Sequence, residues 1–180
     1  HEWGEALAFL RRGIETVPPQ SNLYALYTAA ADILVTLGQR EQAVSLLQEG
    51  VERSPPLANL YALYTAAAKN LAALGKTGEA LKYLRAGIER VPPLSHLGPL
   101  YTLGAEILAT TGEGELALEL LHEGEAKVEP QAGLELLYSA AGQLLADAER
   151  HADAVAHLRI GIGRVPPQSR STLYVLAAQI

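Results

Sequence analysis

The chain has 180 residues, which fits one domain of ordinary size, and its net charge of -6 disfavours binding to a phosphate backbone, because such binding needs a basic surface. It contains no cysteine, which excludes disulfides, cysteine-ligated zinc, iron–sulfur clusters and a thiol nucleophile. Apolar residues make up 49% of the chain, and most are Leu and Ala, which are strong helix formers.

The predicted elements are helices with short breaks between them. An amphipathic helix is predicted over Glu2–Thr16, and a more apolar one over Ser21–Leu37. Gly38 follows as a stop signal, because a left-handed backbone conformation costs glycine nothing. A second amphipathic helix is predicted over Arg40–Arg53, and Pro55-Pro56 ends it, since proline cannot continue a helix. The short loops predict that successive helices are antiparallel neighbours.

This two-helix unit recurs with a period of 37 residues. A glycine, a proline pair and a tyrosine all keep the spacing, and the ten residues of Asn22–Ala31 recur unchanged as Asn59–Ala68. The glycines are Gly13, Gly50, Gly87, Gly124 and Gly161; the tyrosines are Tyr27, Tyr64, Tyr101 and Tyr138; the pairs are Pro18-Pro19, Pro55-Pro56, Pro92-Pro93 and Pro166-Pro167, with Glu129-Pro130 in the fourth copy. A period of this length is typical of solenoids and other repeat arrays.

The period predicts one repeat domain over residues 1–180. It consists of a half repeat at 1–19, full repeats at 20–56, 57–93, 94–130 and 131–167, and a half repeat at 168–180 with two extra residues near Arg170-Ser171. Because the chain starts at His1 without Met and both end hairpins are incomplete, we expect a fragment of a longer protein. Exposed apolar side chains are expected at the ends, which would allow head-to-tail self-association. These side chains are Trp3, Phe9, Leu173, Leu176 and Ile180.

The second helix of each unit resembles the tetratricopeptide repeat, whose pattern is W-x2-L-G-x2-Y, then A-x3-F, then P. The matching positions are Ala43, Ala80, Ala117 and Ala154, then Leu47, Leu84, Leu121 and Leu158, then Pro55, Pro92 and Pro166. In the first helix Tyr27 stands for Trp, Ala30-Ala31 for Leu-Gly and Leu34 for Tyr. Three additional residues precede this aromatic, so we expect a first helix almost one turn longer than in the family. The spacing from Ala43 to Pro55 argues against the RNA-reading pentatricopeptide family.

The resemblance implies an all-α fold, a right-handed α-solenoid of antiparallel helix hairpins. A glycine inside a helix costs about 1 kcal/mol relative to alanine. Since Gly50 and its counterparts persist through the chain, we expect them to mark a close approach of two helices. The Tyr27 series is predicted to lie in the core with its hydroxyl groups at the edge.

The resemblance also implies that the first helices line a concave face that binds extended or helical peptides. A polar stripe with a spacing of four follows each of these helices, which places its members on one face. The hydroxyls would hydrogen-bond a peptide backbone, and charges that differ between repeats would set specificity. The candidate partner-binding residues are Tyr24, Thr28, Asp32, Thr36, Tyr61, Thr65, Lys69, Thr102, Glu106, Thr110, Ser139, Gln143 and Asp147. With one Lys on this face, a partner with an acidic tail is not expected.

Motifs for catalysis are absent from the sequence. His151 and His157 are six residues apart and therefore on different helix faces, and no metal-binding H-E-x-x-H, phosphate-binding loop or nucleophile elbow occurs. The carboxylates Glu49, Glu52, Glu79 and Glu89 are predicted to lie on a solvated convex face. We therefore expect no enzyme activity, no cofactor and no metal. The apolar stretch Leu23–Leu37 is too short and too polar to span a membrane, and a cytoplasmic location is expected.

The sequence thus predicts a protein–protein interaction module that binds a peptide or partner protein, with no nucleic acid or membrane partner. A second reading is a sensor or recognition arm of a larger multidomain signalling ATPase or enzyme. A third is a purely structural repeat scaffold without a ligand. The first two readings differ in what flanks the repeats rather than in what the repeats do.

Overall fold

A computed structural model of the protein describes residues 2–18, 21, 23–55, 59–92 and 96–180, and within these ranges every regular element is helical. The helices are α1 (Glu2–Thr16), α2 (Tyr24–Thr36), α3 (Arg40–Arg53), α4 (Leu60–Ala73), α5 (Thr77–Arg90), α6 (Gly98–Thr110), α7 (Gly114–Lys127), α8 (Leu134–Asp147), α9 (His151–Arg164) and α10 (Arg170–Gln179), with a short 3-10 turn at Pro167–Ser169. No helix among the described residues is long and apolar enough to cross a membrane. The predicted all-α class is confirmed.

The chain divides into two compact units, His1–Pro92 and Pro93–Ile180. In the first unit each helix from α1 to α5 packs against the next, and the first helices of neighbouring repeats, α2 and α4, also contact each other. In the second unit α6 to α10 repeat this arrangement, with α8 packed against both α6 and α10. Each unit is therefore a stack of helix hairpins of the solenoid type. The single-domain organisation and the repeat boundaries stay predictions.

Two of the predicted helices have the bounds that the sequence indicates, whereas the first helix of the repeat is shorter. Helices α1 and α3 coincide with their predictions, but α2 begins at Tyr24 rather than Ser21. The prediction failed there because the Ser21 amide bonds to the Pro18 carbonyl at 2.9 Å, a local turn that delays the helix. The first helices have 13 or 14 residues, fewer than the 17 residues of the predicted span Ser21–Leu37. His1, Pro19, Asn22, Pro56 and Pro93 lie outside the described residues.

The turn inside each hairpin has the predicted left-handed residue. Gly38 and Gly75 both have a φ of 75° and Gly112 has a φ of 84°. The amide of the following residue then reaches back to the helix; for example, the Gln39 amide bonds to the Leu34 carbonyl at 2.8 Å. In the fourth repeat Glu149 occupies this position with a φ of 60°.

The repeated glycines and tyrosines pack against each other in the core, as predicted. The rings of Tyr27, Tyr64, Tyr101 and Tyr138 are almost completely buried. A Cβ atom added at Gly50 would lie 2.8 Å from the Tyr27 ring, and one added at Gly161 would lie 2.5 Å from the Tyr138 ring. These distances are shorter than any ordinary carbon contact. Glycine is therefore required where the second helix crosses the tyrosine of the first.

Basic residues in the last turn of the second helices connect successive repeats. The Arg53 guanidinium donates to the Ile14 carbonyl at 3.2 Å. The Arg164 guanidinium donates to the Glu125 carbonyl at 2.9 Å. Each arginine thereby occupies a main-chain acceptor at the end of the preceding second helix, where a cation is also favoured by the helix dipole.

Exposed apolar side chains lie on α1 and α10, although not all of those predicted. Trp3 is 54% exposed and Phe9 is 79% exposed, which confirms the prediction for α1. Leu173 is fully buried, so its predicted exposure is wrong. The reason is its register: it takes the place of the buried Leu23 at the start of a first helix. Leu176 and Ile180, also predicted to be exposed, are half-buried, and the large exposed apolar residues of α10 are Tyr174 and Val175.

Candidate functional site

A groove of about 210 Å³ lies between the first helices α6 and α8 of the second unit. Polar residues form its rim and small or apolar residues form its floor. The rim consists of Thr102, Glu106, Gln143 and Asp147, and the floor of Ala105, Ala109, Leu121, Ala140 and Leu144. The groove therefore combines an apolar surface with a few polar groups, the usual character of a binding pocket.

The repeat and the helical spacing together explain why these side chains meet. Glu106 and Gln143 are 37 residues apart and hold the same position in consecutive repeats. Thr102 lies one turn before Glu106, and Asp147 lies one turn after Gln143, so each pair shares a helix face. Alanine at the positions between them leaves the space that forms the groove.

The rim is acidic. The side chains of Glu106, Gln143 and Asp147 are exposed, and the residues lining the groove include no Lys, Arg or His. The Gln143 amide donates to an Asp147 carboxylate oxygen at 2.7 Å, which fixes the orientation of both side chains. At neutral pH the two carboxylates give the groove a negative potential that favours a cationic ligand group.

The start of α6 makes a close backbone contact with the segment before α8. The Gly98 amide bonds to the Ala132 carbonyl at 3.2 Å. A Cβ atom at Gly98 would lie 2.6 Å from the Gly133 carbonyl oxygen, so only glycine fits. Gly98 stands where earlier repeats have Tyr24 and Tyr61. The change from tyrosine to glycine therefore brings the start of α6 against the residue that precedes α8.

Comparisons with known proteins agree with the architecture. The sequence model of the tetratricopeptide repeat family matches residues 24–56, which contain α2 and α3. The internal period extends this hairpin to the other repeats. The matched segment is a tetratricopeptide-type hairpin. No curated protein sequence matches it significantly.

Several solved structures are similar to this chain in fold. BtubC from P. vanneervenii has a TM-score of 0.65 at 16% identity, over 99% of this chain and 80% of that one. The protein TTC0263 from Thermus thermophilus has a TM-score of 0.57 at 21% identity, over 98% and 91% of the two chains. YrrB, described as having an unusual peptide-binding site, has a TM-score of 0.52 at 16% identity, over 94% and 82%. At these identities the likeness concerns the fold.

The predicted partner-binding residues lie in both units. In the first unit, Tyr24, Thr28, Asp32 and Thr36 are on α2, and Tyr61, Thr65 and Lys69 are on α4. In the second unit, Thr102, Glu106 and Thr110 are on α6, and Ser139, Gln143 and Asp147 are on α8. The structure brings four of them together around the groove: Thr102, Glu106, Gln143 and Asp147. Thr110 and Ser139 do not line it.

The threonine hydroxyl groups of the polar stripe bond to their own helices. The Thr28 hydroxyl donates to the Tyr24 carbonyl at 3.0 Å, and the Thr65 hydroxyl donates to the Tyr61 carbonyl at 3.0 Å. The Thr102 hydroxyl likewise donates to the Pro99 carbonyl at 3.3 Å. Since a carbonyl can only accept, the single proton of each hydroxyl is engaged. A ligand can therefore hydrogen-bond to these threonines only by donating a proton to the hydroxyl oxygen.

A second cluster of polar side chains lies between α7 and α9, and the sequence reasoning missed it. One ligand atom from each of His122, Glu125 and His157 lies within 4.8 Å of the others. The His157 Nε2 and Glu125 Oε1 atoms are 2.8 Å apart, and Glu125 is buried. Spacing along one helix does not reveal this cluster, because its residues come from two helices. The signal that identifies it is the register of Glu125, at a position that is apolar in the other repeats.

The tyrosine hydroxyls are coupled to charged groups at the edge of the core. The Tyr27 hydroxyl donates to Glu49 Oε1 at 3.1 Å, and burial together with the Glu49 charge raises the pKa of Tyr27 to about 12. Burial and the nearby Glu125 carboxylate also raise the pKa of Tyr138, whose hydroxyl accepts a hydrogen bond from Arg164 at 2.7 Å. These phenols therefore stay neutral at physiological pH and serve the packing of the hairpins.

Proposed function

We propose that the chain is a protein-interaction module whose α6–α8 groove binds a basic side chain of a peptide or partner protein. The observation that carries the proposal is the combination of an alanine-lined floor with the carboxylates of Glu106 and Asp147 at the rim. Repeat arrays of this kind commonly use such surfaces between first helices for binding other proteins. The proposal concerns binding, and no catalytic role is assigned to the groove.

The dimensions and charge of the groove favour one long cationic side chain. A volume of about 210 Å³ is below the range of roughly 300–1,000 Å³ typical of pockets for small molecules. Lys and Arg have apolar stems that pack on apolar surface while their charged ends remain near water. The stem would lie on Ala105, Ala109 and Ala140, with its charged end between the carboxylates of Glu106 and Asp147.

The likeness to YrrB supports a peptide as the ligand, because that protein is described as having an unusual peptide-binding site and has the same fold. Two residues of the first unit hold the same repeat position as Glu106. They are Asp32 on α2 and Lys69 on α4, and both are exposed. These differences in charge would let each pair of repeats select a different partner residue.

The proposal is tested by probing an array of random peptides with the labelled chain. Bound peptides are expected to be enriched in Lys and Arg. For a selected peptide, the variant Glu106→Gln/Asp147→Asn should bind about tenfold or more weakly, since it removes both charges that face the cation. Binding of the wild-type chain should also weaken as salt is added, because the rim is exposed.

A control of equal net charge is Glu119→Gln/Glu129→Gln, which changes two exposed carboxylates outside the groove. It should bind the peptide as the wild-type chain does. The proposal is wrong if the selected peptides are acidic or apolar, or if the groove variant and the control bind equally well.

A second candidate function is self-association. Phe9 is exposed on α1, which is a second helix of the repeat. Val175 is exposed on α10, which is a first helix. Contact between them in two copies would be a head-to-tail interaction, which can continue beyond a dimer. Each exposed apolar surface would then be covered by a second copy of this chain.

A further inference from the structure

We propose that His122, Glu125 and His157 form a binding site for Zn²⁺ that connects the second helices α7 and α9. The three residues supply two imidazole nitrogens and a carboxylate oxygen, which are ligands that zinc accepts. None of them lines the α6–α8 groove, so this site is independent of the function proposed above.

The repeat pattern shows that two of these residues replace apolar ones. Glu125 has its counterparts in Ile14, Val51, Ile88 and Ile162, and His157 has its counterparts in Phe9, Leu46, Tyr83 and Leu120. A carboxylate and an imidazole therefore occur at two packing positions that are otherwise apolar or aromatic. Burying a charged group costs several kcal/mol unless it has a partner. The presence of both Glu125 and His157 at these positions is explained if the two side chains bind the same ligand.

The geometry suits a metal ion. The His157 Nε2 and Glu125 Oε1 atoms are already 2.8 Å apart, with side-chain exposures of 13% and 9%. The rings of His122 and His157 have centroids 5.4 Å apart, and all three ligand atoms lie within 4.8 Å of one another. With zinc–nitrogen distances near 2.0–2.1 Å, tetrahedral ligand atoms are roughly 3.4 Å apart. The exposed His122 has the freedom to rotate its ring and close the remaining distance.

Neighbouring side chains hold the ligands in place. The Tyr138 ring packs 5.0 Å from the His157 ring, centroid to centroid, and limits its orientation. The Arg164 guanidinium donates to the Glu125 carbonyl oxygen and the Tyr138 hydroxyl rather than to the Glu125 carboxylate. That carboxylate contacts His157 Nε2 and would exchange this contact for the metal. The positive charge of Arg164 will still weaken binding of a second cation. Three protein ligands also leave a coordination position for water or for a partner's side chain.

The first experiment titrates the untagged 180-residue chain with zinc chloride by calorimetry and with cobalt chloride by absorption spectroscopy. We expect one ion per chain, a cobalt spectrum typical of four- or five-coordinate sites, and a higher Tm when zinc is added. The variant Glu125→Ile/His157→Leu restores the residues of other repeats and is therefore expected to fold. It should lose the cobalt spectrum and the zinc-dependent rise in Tm.

Two further variants separate a metal site from general effects of the substitutions. His122→Gln, which places the residue found at Gln48, changes an exposed ligand and should weaken zinc binding by about tenfold or more. His151→Gln changes an exposed histidine outside the cluster and should leave binding unchanged. The proposal is overturned if the wild-type chain does not bind zinc, or if His122→Gln and His151→Gln bind it as the wild-type chain does.

Discussion

At the residue scale, the packing of glycine against tyrosine determines how closely the two helices of a hairpin approach. The same contact occurs at Gly50, Gly87, Gly124 and Gly161, each against the tyrosine of its own hairpin. The sequence indicates the contact because a helix keeps a residue that weakens it only where packing requires it. The ring then fills the space that a side chain would otherwise occupy.

Replacing this glycine is expected to destabilise the second unit. In Gly161→Ala the new methyl group would lie 2.5 Å from the Tyr138 ring, so the helices must separate or the ring must move. We expect a loss of about 1–3 kcal/mol in the free energy of unfolding, measured by urea denaturation followed by circular dichroism.

Gly163 on the same helix is the matched control. A Cβ atom there meets nothing within 4 Å, so Gly163→Ala should stabilise the chain by up to about 1 kcal/mol through helix propensity. Equal effects of the two substitutions would contradict the packing argument.

At the element scale, each hairpin depends on a three-residue turn with a left-handed residue. Gly38, Gly75 and Gly112 meet this requirement without strain, whereas Glu149 in the fourth hairpin has a Cβ atom and a φ of 60°. A left-handed conformation costs a residue with a Cβ atom roughly 1–2 kcal/mol. The α8–α9 turn is therefore the strained member of the set.

Replacing this glutamate by glycine is expected to relieve the strain. Glu149→Gly should raise the free energy of unfolding by about 1 kcal/mol, which thermal and urea denaturation can both measure. The reciprocal change Gly112→Ala, at a φ of 84° with nothing within 4 Å of the new Cβ, should lower it by about 1–2 kcal/mol. Stabilisation by Gly112→Ala would show that strain at this position is not the cause.

At the scale of the whole molecule, each end helix packs against its neighbours on one side and exposes some large apolar side chains. Phe9 holds the register of Leu46 and His157 but is 79% exposed, and Val175 on α10 is 57% exposed. Contact between such surfaces in two copies would remove both from water, which is favourable at about 25 cal/mol per Å² of apolar area. The association would depend on concentration.

Light scattering over a concentration series measures this association directly. We expect the mass of the wild-type chain to rise with concentration and that of Phe9→Ser to remain at the monomer value. Ile160→Ser makes a similar change at another exposed apolar residue and should behave as the wild type does. A wild-type chain that stays monomeric throughout would rule out the association.

The sequence by itself determined the helical class, the 37-residue period, the bounds of α1 and α3, and the glycine–tyrosine packing. These follow from local rules, because periodicity, helix stop signals and the cost of glycine act within one hairpin and repeat along the chain. The sequence also placed Thr102, Glu106, Gln143 and Asp147 on helix faces. It could not show that alanines leave a hollow between those faces.

Only the tertiary structure decided what depends on distances between helices. It showed that the threonine hydroxyls are engaged by their own helices, that Leu173 is buried, and that α2 begins three residues later than predicted. It also brought His122 and Glu125 of α7 against His157 of α9, a contact between residues more than thirty positions apart. Such contacts depend on how neighbouring hairpins stack, and spacing along a single helix does not contain that information.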